Sequence, residues 1–181
     1  MSQNYYNLIV LELLKAPGHI RALAKKLGTN QMTISRKVKE LEKSNVVDYR
    51  QEGRNNVYFI KKTVEAQEYV LIAEHFKLVR TLQQSPVLRN VIQQIKPNSK
   101  IRLALLFGSY ASGLAHKDSD IDIYVETTDK NLKKEITQIN LKASVKIGRY
   151  DPNSILIKEI ENNHVVIKCG EAYYEKIGLF L

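Results

Sequence analysis

The chain has 181 residues, 44% of them hydrophobic, and a formal net charge of +9. That length suits one ordinary domain or two small ones, and no apolar run approaches the roughly 20 residues that a membrane span needs. The single cysteine, Cys169, excludes an internal disulfide and a cysteine-built metal centre, as expected of a protein in a reducing cytoplasm.

The N-terminal stretch MSQNYYNLIVLELLKA has no basic n-region and no small-residue cleavage site, and Glu12 interrupts its apolar run. It reads as a helix over 4–15 of the mature protein and not as a signal peptide. Tyr5, Leu8, Ile9, Leu11 and Leu13 recur at helical spacing, and Pro17-Gly18 stops the run. HIRALAKKLG forms a second short helix with Ile20, Leu23, Ala24 and Leu27 on one face and Gly28 as a left-handed cap. A third helix follows in TNQMTISRKVKELEKSN, capped by Thr29 or Asn30, with Met32 or Thr33, Ile34, Val38 and Leu41 on its apolar stripe. VVDYRQEGRNNVYFI then reads as two strands around a turn at Glu52-Gly53-Arg54-Asn55.

Residues 1–62 hold 12 Lys/Arg against 5 Asp/Glu, which is +7 of the total charge, and a basic domain favours a polyanionic partner. On the third helix Asn30, Gln31, Thr33, Ser35, Arg36, Lys37 and Lys39 lie largely off the apolar stripe. They are short polar and basic groups suited to base edges and phosphates in a major groove of double-stranded DNA. Arg50 and Arg54 on the hairpin suit phosphates or a minor groove. The pattern LAxxLG, then Ser35-Arg36, then Leu41-Glu42, then Gly53-Arg54 before Tyr58 resembles bacterial and archaeal winged helix-turn-helix regulators over residues 5–61.

Residues 63–97 read as a helical connector. One amphipathic helix carries Val64, Tyr69, Val70, Ile72, Ala73, Phe76, Val79 and Leu82. A second carries Val87, Leu88, Val91, Ile92 and Ile95 after a break at Pro86. The long helix either packs between domains or pairs two copies into a homodimer. His75 on it has no ligand-type neighbour at metal spacing.

Residues 98–181 begin with the apolar strand KIRLALLF over 100–107, which reads as central in its sheet. Gly108-Ser109 follows at once. In DIDIYVE, Ile121, Ile123 and Val125 face one way and Asp120, Asp122, Tyr124 and Glu126 the other. Two like charges side by side on one face repel unless a cation sits between them, and metal-held carboxylates serve phosphoryl transfer. A glycine at a strand end lets backbone approach a phosphate, and a helix starting near Tyr110 offers free N–H groups to an anion.

Gly108-Ser109, ten residues, then Asp120-x-Asp122 resembles the DNA polymerase β-like nucleotidyltransferase superfamily, and most of all its minimal members, over roughly residues 88–180. The resemblance implies an α+β chain: a winged helix-turn-helix plus a small mixed-sheet nucleotidyltransferase domain with flanking helices. It implies that Gly108 and Ser109 hold a nucleoside triphosphate, that Asp120 and Asp122 bind Mg²⁺ or Mn²⁺ as the catalytic pair, and that a nucleoside monophosphate passes to a hydroxyl. It also implies a third carboxylate on the next strand, in KASVKIGRYD. The aligned residue is Lys146. Asp151 falls past the strand end, and Glu126 lies about 13 Å beyond Asp122 at ~3.3 Å per residue. His116 and Lys117 sit in the motif loop, and His164 beside a C-terminal strand reads as structural.

Three functions fit this reading. The first is a DNA-binding nucleotidyltransferase. The second is a transcription regulator whose nucleotidyltransferase-like domain binds nucleotide or metal without turnover. The third is an antitoxin-type enzyme acting on a partner toxin protein.

Overall fold

The computed structural model describes residues 4–180. It divides into two compact units, one running to Phe76 and one from Lys77 to Leu179.

The first unit contains α1 (Tyr5–Lys15), α2 (Ile20–Lys26), α3 (Gln31–Lys43), β1 (Val47–Glu52) and β2 (Asn55–Ile60). Ile9, Val10, Leu13, Leu23, Ile34, Val38, Leu41 and Val47 are buried within it. Each such side chain contributes roughly 1.5–3 kcal/mol by leaving water. Gly28 adopts φ +61 and ends α2, a conformation that costs an L side chain strain. Asn30 is the residue that caps α3, its Oδ1 accepting the Thr33 N–H at 2.8 Å. Met32 is 82% exposed, so Thr33 and not Met32 continues the apolar stripe. β1 and β2 pair antiparallel from Val47↔Ile60 to Glu52↔Asn55. Gly18 adds a bridge to this ladder by exchanging both backbone hydrogen bonds with Tyr58, at 3.0 and 2.9 Å. Pro17-Gly18 therefore does more than stop α1. It adds a third, one-residue segment to the hairpin sheet, beside β2.

α4 (Val64–Gln84) is followed by a single 3₁₀ turn at Pro86–Leu88. The second unit then contains α5 (Arg89–Ile95), β3 (Leu103–Phe107), α6 (Gly108–Ser112), β4 (Ile121–Glu126), α7 (Leu132–Ile139), β5 (Ala143–Ile147), α8 (Ile155–Asn162), β6 (Val165–Lys168) and α9 (Gly170–Lys176). The sheet order is β5-β4-β3-β6, with β4–β5 parallel and the other two pairings antiparallel. β3 is central and all five of its residues are buried. It starts three residues later than the sequence pattern indicates. Asn98 builds a turn there: its Oδ1 accepts the Lys100 N–H at 3.0 Å and its carbonyl accepts the Ile101 N–H at 3.2 Å.

Residues 127–141 carry no clear period in the sequence, and α7 lies within them. Parallel strands need a crossover, here supplied by an amphipathic helix that buries Leu132 and Ile136. One face of the sheet (Ala104, Leu106, Ile121, Ile123, Val125, Ala143, Val145, Val165 and Ile167) packs in a single core with Leu88, Val91, Ile92, Ile95, Leu132 and Ile136. The opposite face is aromatic near α9. Tyr124 and Tyr150 meet edge to face at 6.4 Å, and Tyr150 and Tyr173 at 6.3 Å. Burial holds the Tyr124 and Tyr150 hydroxyls protonated, well above the ordinary phenol range. They donate to the Gly148 carbonyl (3.0 Å) and to Glu161 Oε1 (2.5 Å).

Candidate functional site

Gly108 follows directly on β3 and opens α6 with φ +68. Phe107 pairs with Asp122 across the β3–β4 ladder, so the turn and the second aspartate of the motif are neighbours. A Cβ built on Gly108 would lie 2.5 Å from Asp122 Oδ2. Both the left-handed backbone and the missing side chain are therefore required at this position. α6 closes one turn later at Gly113, φ +72, where the Leu114 N–H returns to the Ser109 carbonyl at 2.9 Å. Ser112 Oγ donates within the turn to the carbonyls of Gly108 (3.2 Å) and Ser109 (3.0 Å).

The loop back to β4 is tied at Ser119, which is buried. Ser119 Oγ accepts the His116 N–H at 2.9 Å, and the Ser119 N–H donates to the His116 carbonyl at 3.1 Å. This fixes the base of Asp120, the exposed residue just before β4, while His116 and Lys117 stay exposed in the loop. Asp120 and Asp122 leave the chain on the same side, two positions apart. Among the described residues, neither carboxylate has a hydrogen bond or an ion pair with the protein, and the Ser109 hydroxyl is equally free.

No other carboxylate joins the pair. Asp122 faces Ser144 across the parallel β4–β5 ladder, and Tyr124 faces Lys146. Lys146 is exposed and stands near the position expected from the sequence for the third acid. Glu126 is buried and engaged elsewhere: its Oε2 lies 3.2 Å from Lys176 Nζ, and its Oε1 accepts the Tyr150 N–H at 3.4 Å. Asp151 closes a turn by accepting the Asn153 N–H at 2.9 Å. Among the described residues no group of three His, Cys, Asp or Glu could hold a metal ion. The two carboxylates are hard oxygen donors of the kind that Mg²⁺ takes. His164 packs structurally, its Nδ1 2.9 Å from the Ile160 carbonyl and its ring against Tyr173.

The first unit presents a second surface. Gln31, Arg36 and Lys39 are exposed on α3, and Ser35 and Thr33 are half-buried beside them. Asn30 is exposed, but its side-chain oxygen is engaged in the cap. Lys37 turns to α1, where its ammonium lies 4.2 Å from the centre of the Tyr6 ring and 2.9 Å from Glu40 Oε2. Arg54 is exposed at the hairpin turn, whereas Arg50 pairs with Glu52 at 2.7 Å on the surface. Arg21, which the sequence reading passed over, lines one groove together with Gln31, Arg54, Asn55 and Asn56. Its signal in the sequence was its place at the start of α2, ahead of the third helix.

These elements define two classes of domain: a winged helix-turn-helix and a nucleotidyltransferase-fold sheet. Residues 89–172 match the family model Polymerase beta, Nucleotidyltransferase. An uncharacterized HTH-type transcriptional regulator of Methanocaldococcus jannaschii is 38% identical over 52 residues, which is 29% of this chain and 13% of that protein. The chain thus spans about an eighth of that relative's length. The homodimeric winged helix-turn-helix DNA-binding domain Mb0332 from Mycobacterium bovis is 28% identical, covering 48% of this chain and 75% of its own, with a TM-score of 0.32. No helix among the described residues is long and apolar enough to cross a membrane.

Proposed function

We propose that the chain is a DNA-binding regulator whose nucleotidyltransferase-fold domain binds a nucleoside triphosphate together with one divalent cation, without transferring the nucleotide. The observation that carries this reading is the free Asp120/Asp122 pair beside the Gly108 turn, with no carboxylate at the position opposite Tyr124. Asp120 and Asp122 would hold Mg²⁺ or Mn²⁺. Gly108 and Ser109 would take the phosphates through backbone N–H groups and a hydroxyl. When bound, the ion neutralises phosphate charge and orients the chain of phosphates. A nucleophilic hydroxyl still needs a base beside the pair, and Glu126 and Asp151 are both engaged away from it.

The +7 charge of residues 1–62 and the exposed face of α3 support duplex DNA as the polyanion. The homodimeric state of the Mycobacterium bovis domain belongs to that protein. For this chain, pairing is supported by Val64, Ile72 and Val79 of α4, which are 71%, 52% and 51% exposed at spacings of eight and seven residues. Incubation of the full chain with labelled ATP and Mg²⁺ tests the main reading: nucleotide is retained and no pyrophosphate is released. Release that disappears in the Asp120→Ala/Asp122→Ala variant assigns transfer instead.

A further inference from the structure

Lys146 stands on β5 at the edge of the sheet, exposed, two positions beyond Ser144. Residues paired across a ladder share a face, and so do residues two apart on one strand. Asp122, Ser144 and Lys146 therefore project from the same side of the sheet. With strands ~4.8 Å apart and a rise of ~3.3 Å per residue, the Cα atoms of Asp122 and Lys146 lie about 8 Å apart, which a lysine stem spans.

Among the described residues Lys146 has no hydrogen bond and no ion pair, as is also true of Asp120 and Asp122. One cation and two anions thus share a patch without neutralising one another. Glu126, on the same face, is taken by Lys176 instead. Such an arrangement complements a bound pair of opposite sign: a divalent cation on the aspartates, and the anion it accompanies within reach of the ammonium. A polyphosphate carrying one divalent ion keeps a net negative charge, and a lysine is the compact point charge that offsets it.

We propose that Lys146 is a phosphate-binding residue that makes the site a receptor for polyphosphate with one divalent ion. On this face of the sheet it puts a cation where a carboxylate would be a third acid beside Asp120 and Asp122. The inference rests on the nucleotide reading above, with its single ion, and adds to it the residue that sets polyphosphate affinity.

The test uses the full chain with Mn²⁺, a nonhydrolysable ATP analogue and inorganic tripolyphosphate, read by calorimetry for affinity and by electron paramagnetic resonance for bound Mn²⁺. Wild type is expected to bind one Mn²⁺ per chain with either anion. Lys146→Ala weakens both anions about tenfold, the equivalent of one compact charge contact, and leaves Mn²⁺ binding without anion unchanged. Lys146→Arg retains affinity. Lys146→Asp binds a second Mn²⁺ in the presence of the analogue. Lys146→Ala binding both anions as wild type does overturns the role of Lys146 while the nucleotide reading stands, and two ions on wild type overturn both that role and the single-ion part of the reading. Wild type that binds Mn²⁺ but neither anion overturns both. Tripolyphosphate bound as tightly as the analogue assigns the affinity to the phosphates, and weaker binding adds a nucleoside contact to the Lys146 contact.

Discussion

Glu126 and Lys176 meet at 3.2 Å across the aromatic face of the C-terminal sheet, with 11% and 32% of their side chains exposed. The pair joins the last residue of β4 to the last residue of α9. Glu126→Gln keeps the shape and removes the charge. It is expected to lower the stability of the domain by about 2 kcal/mol, the scale of a hydrogen bond to a charged partner, measured by urea unfolding. Mn²⁺ binding at the aspartate pair should be unchanged. Mn²⁺ lost in a variant that remains folded would place Glu126 in the metal set.

Gly108→Ala places a methyl group 2.5 Å from Asp122 Oδ2 at a residue with φ +68. The backbone strain alone is about 1–2 kcal/mol, and the displaced carboxylate adds to it. Binding of the ATP analogue should fall at least about tenfold. The same change at Gly53, where an added Cβ meets nothing within 4 Å, carries the strain without the collision. It should leave analogue binding intact, and calorimetry on the two variants separates the effects.

On the winged helix, Arg36→Ala and Lys39→Ala should each weaken binding to any duplex and reduce the slope of log affinity against log salt by about one. Lys37→Ala should behave differently, because Lys37 is committed to Tyr6 and Glu40. Its expected effect is on thermal stability, with the salt slope unchanged. Gel-shift titration at several salt concentrations decides it, and a slope lowered by Lys37→Ala alone would move the interface to the α1 side.

Ile72→Glu puts a charge in the exposed apolar stripe of α4. If that stripe pairs two chains, sedimentation velocity should shift from dimer to monomer at micromolar protein while the circular dichroism spectrum is retained. A wild-type chain that sediments as a monomer removes the pairing.

Much of this was legible in the residues. Period-two alternation in DIDIYVE gave both faces of β4, and helical spacing gave α1 to α4 to within two residues, whereas the first three residues read into the next helix form a 3₁₀ turn before α5. The Gly-Ser turn and the aspartate pair were found by type and spacing, and the ladder explains why they are neighbours. Three features were not legible. α7 is short and mostly polar, so its two buried residues, Leu132 and Ile136, were too few to mark a period. The engagement of Glu126 depends on Lys176, fifty residues later, which no local pattern encodes. The direction of Lys37 depends on Tyr6, from a different helix.

The turn at Gly108 and the carboxylate of Asp122 are held together by the Phe107↔Asp122 rung and not by the loop between them. That loop leaves α6 at Gly113, where an added Cβ meets nothing, and passes through Leu114, which is 78% exposed. The rung, and not the length of the loop, sets the distance between Gly108 and Asp122. Beyond the Leu114 N–H, which closes α6 on Ser109, and ahead of the His116–Ser119 tie, the Leu114–Ala115 link is a port in the protein's surface, where a reporter peptide or an epitope can be spliced within a few residues of the Gly108 turn while the rung stays in place.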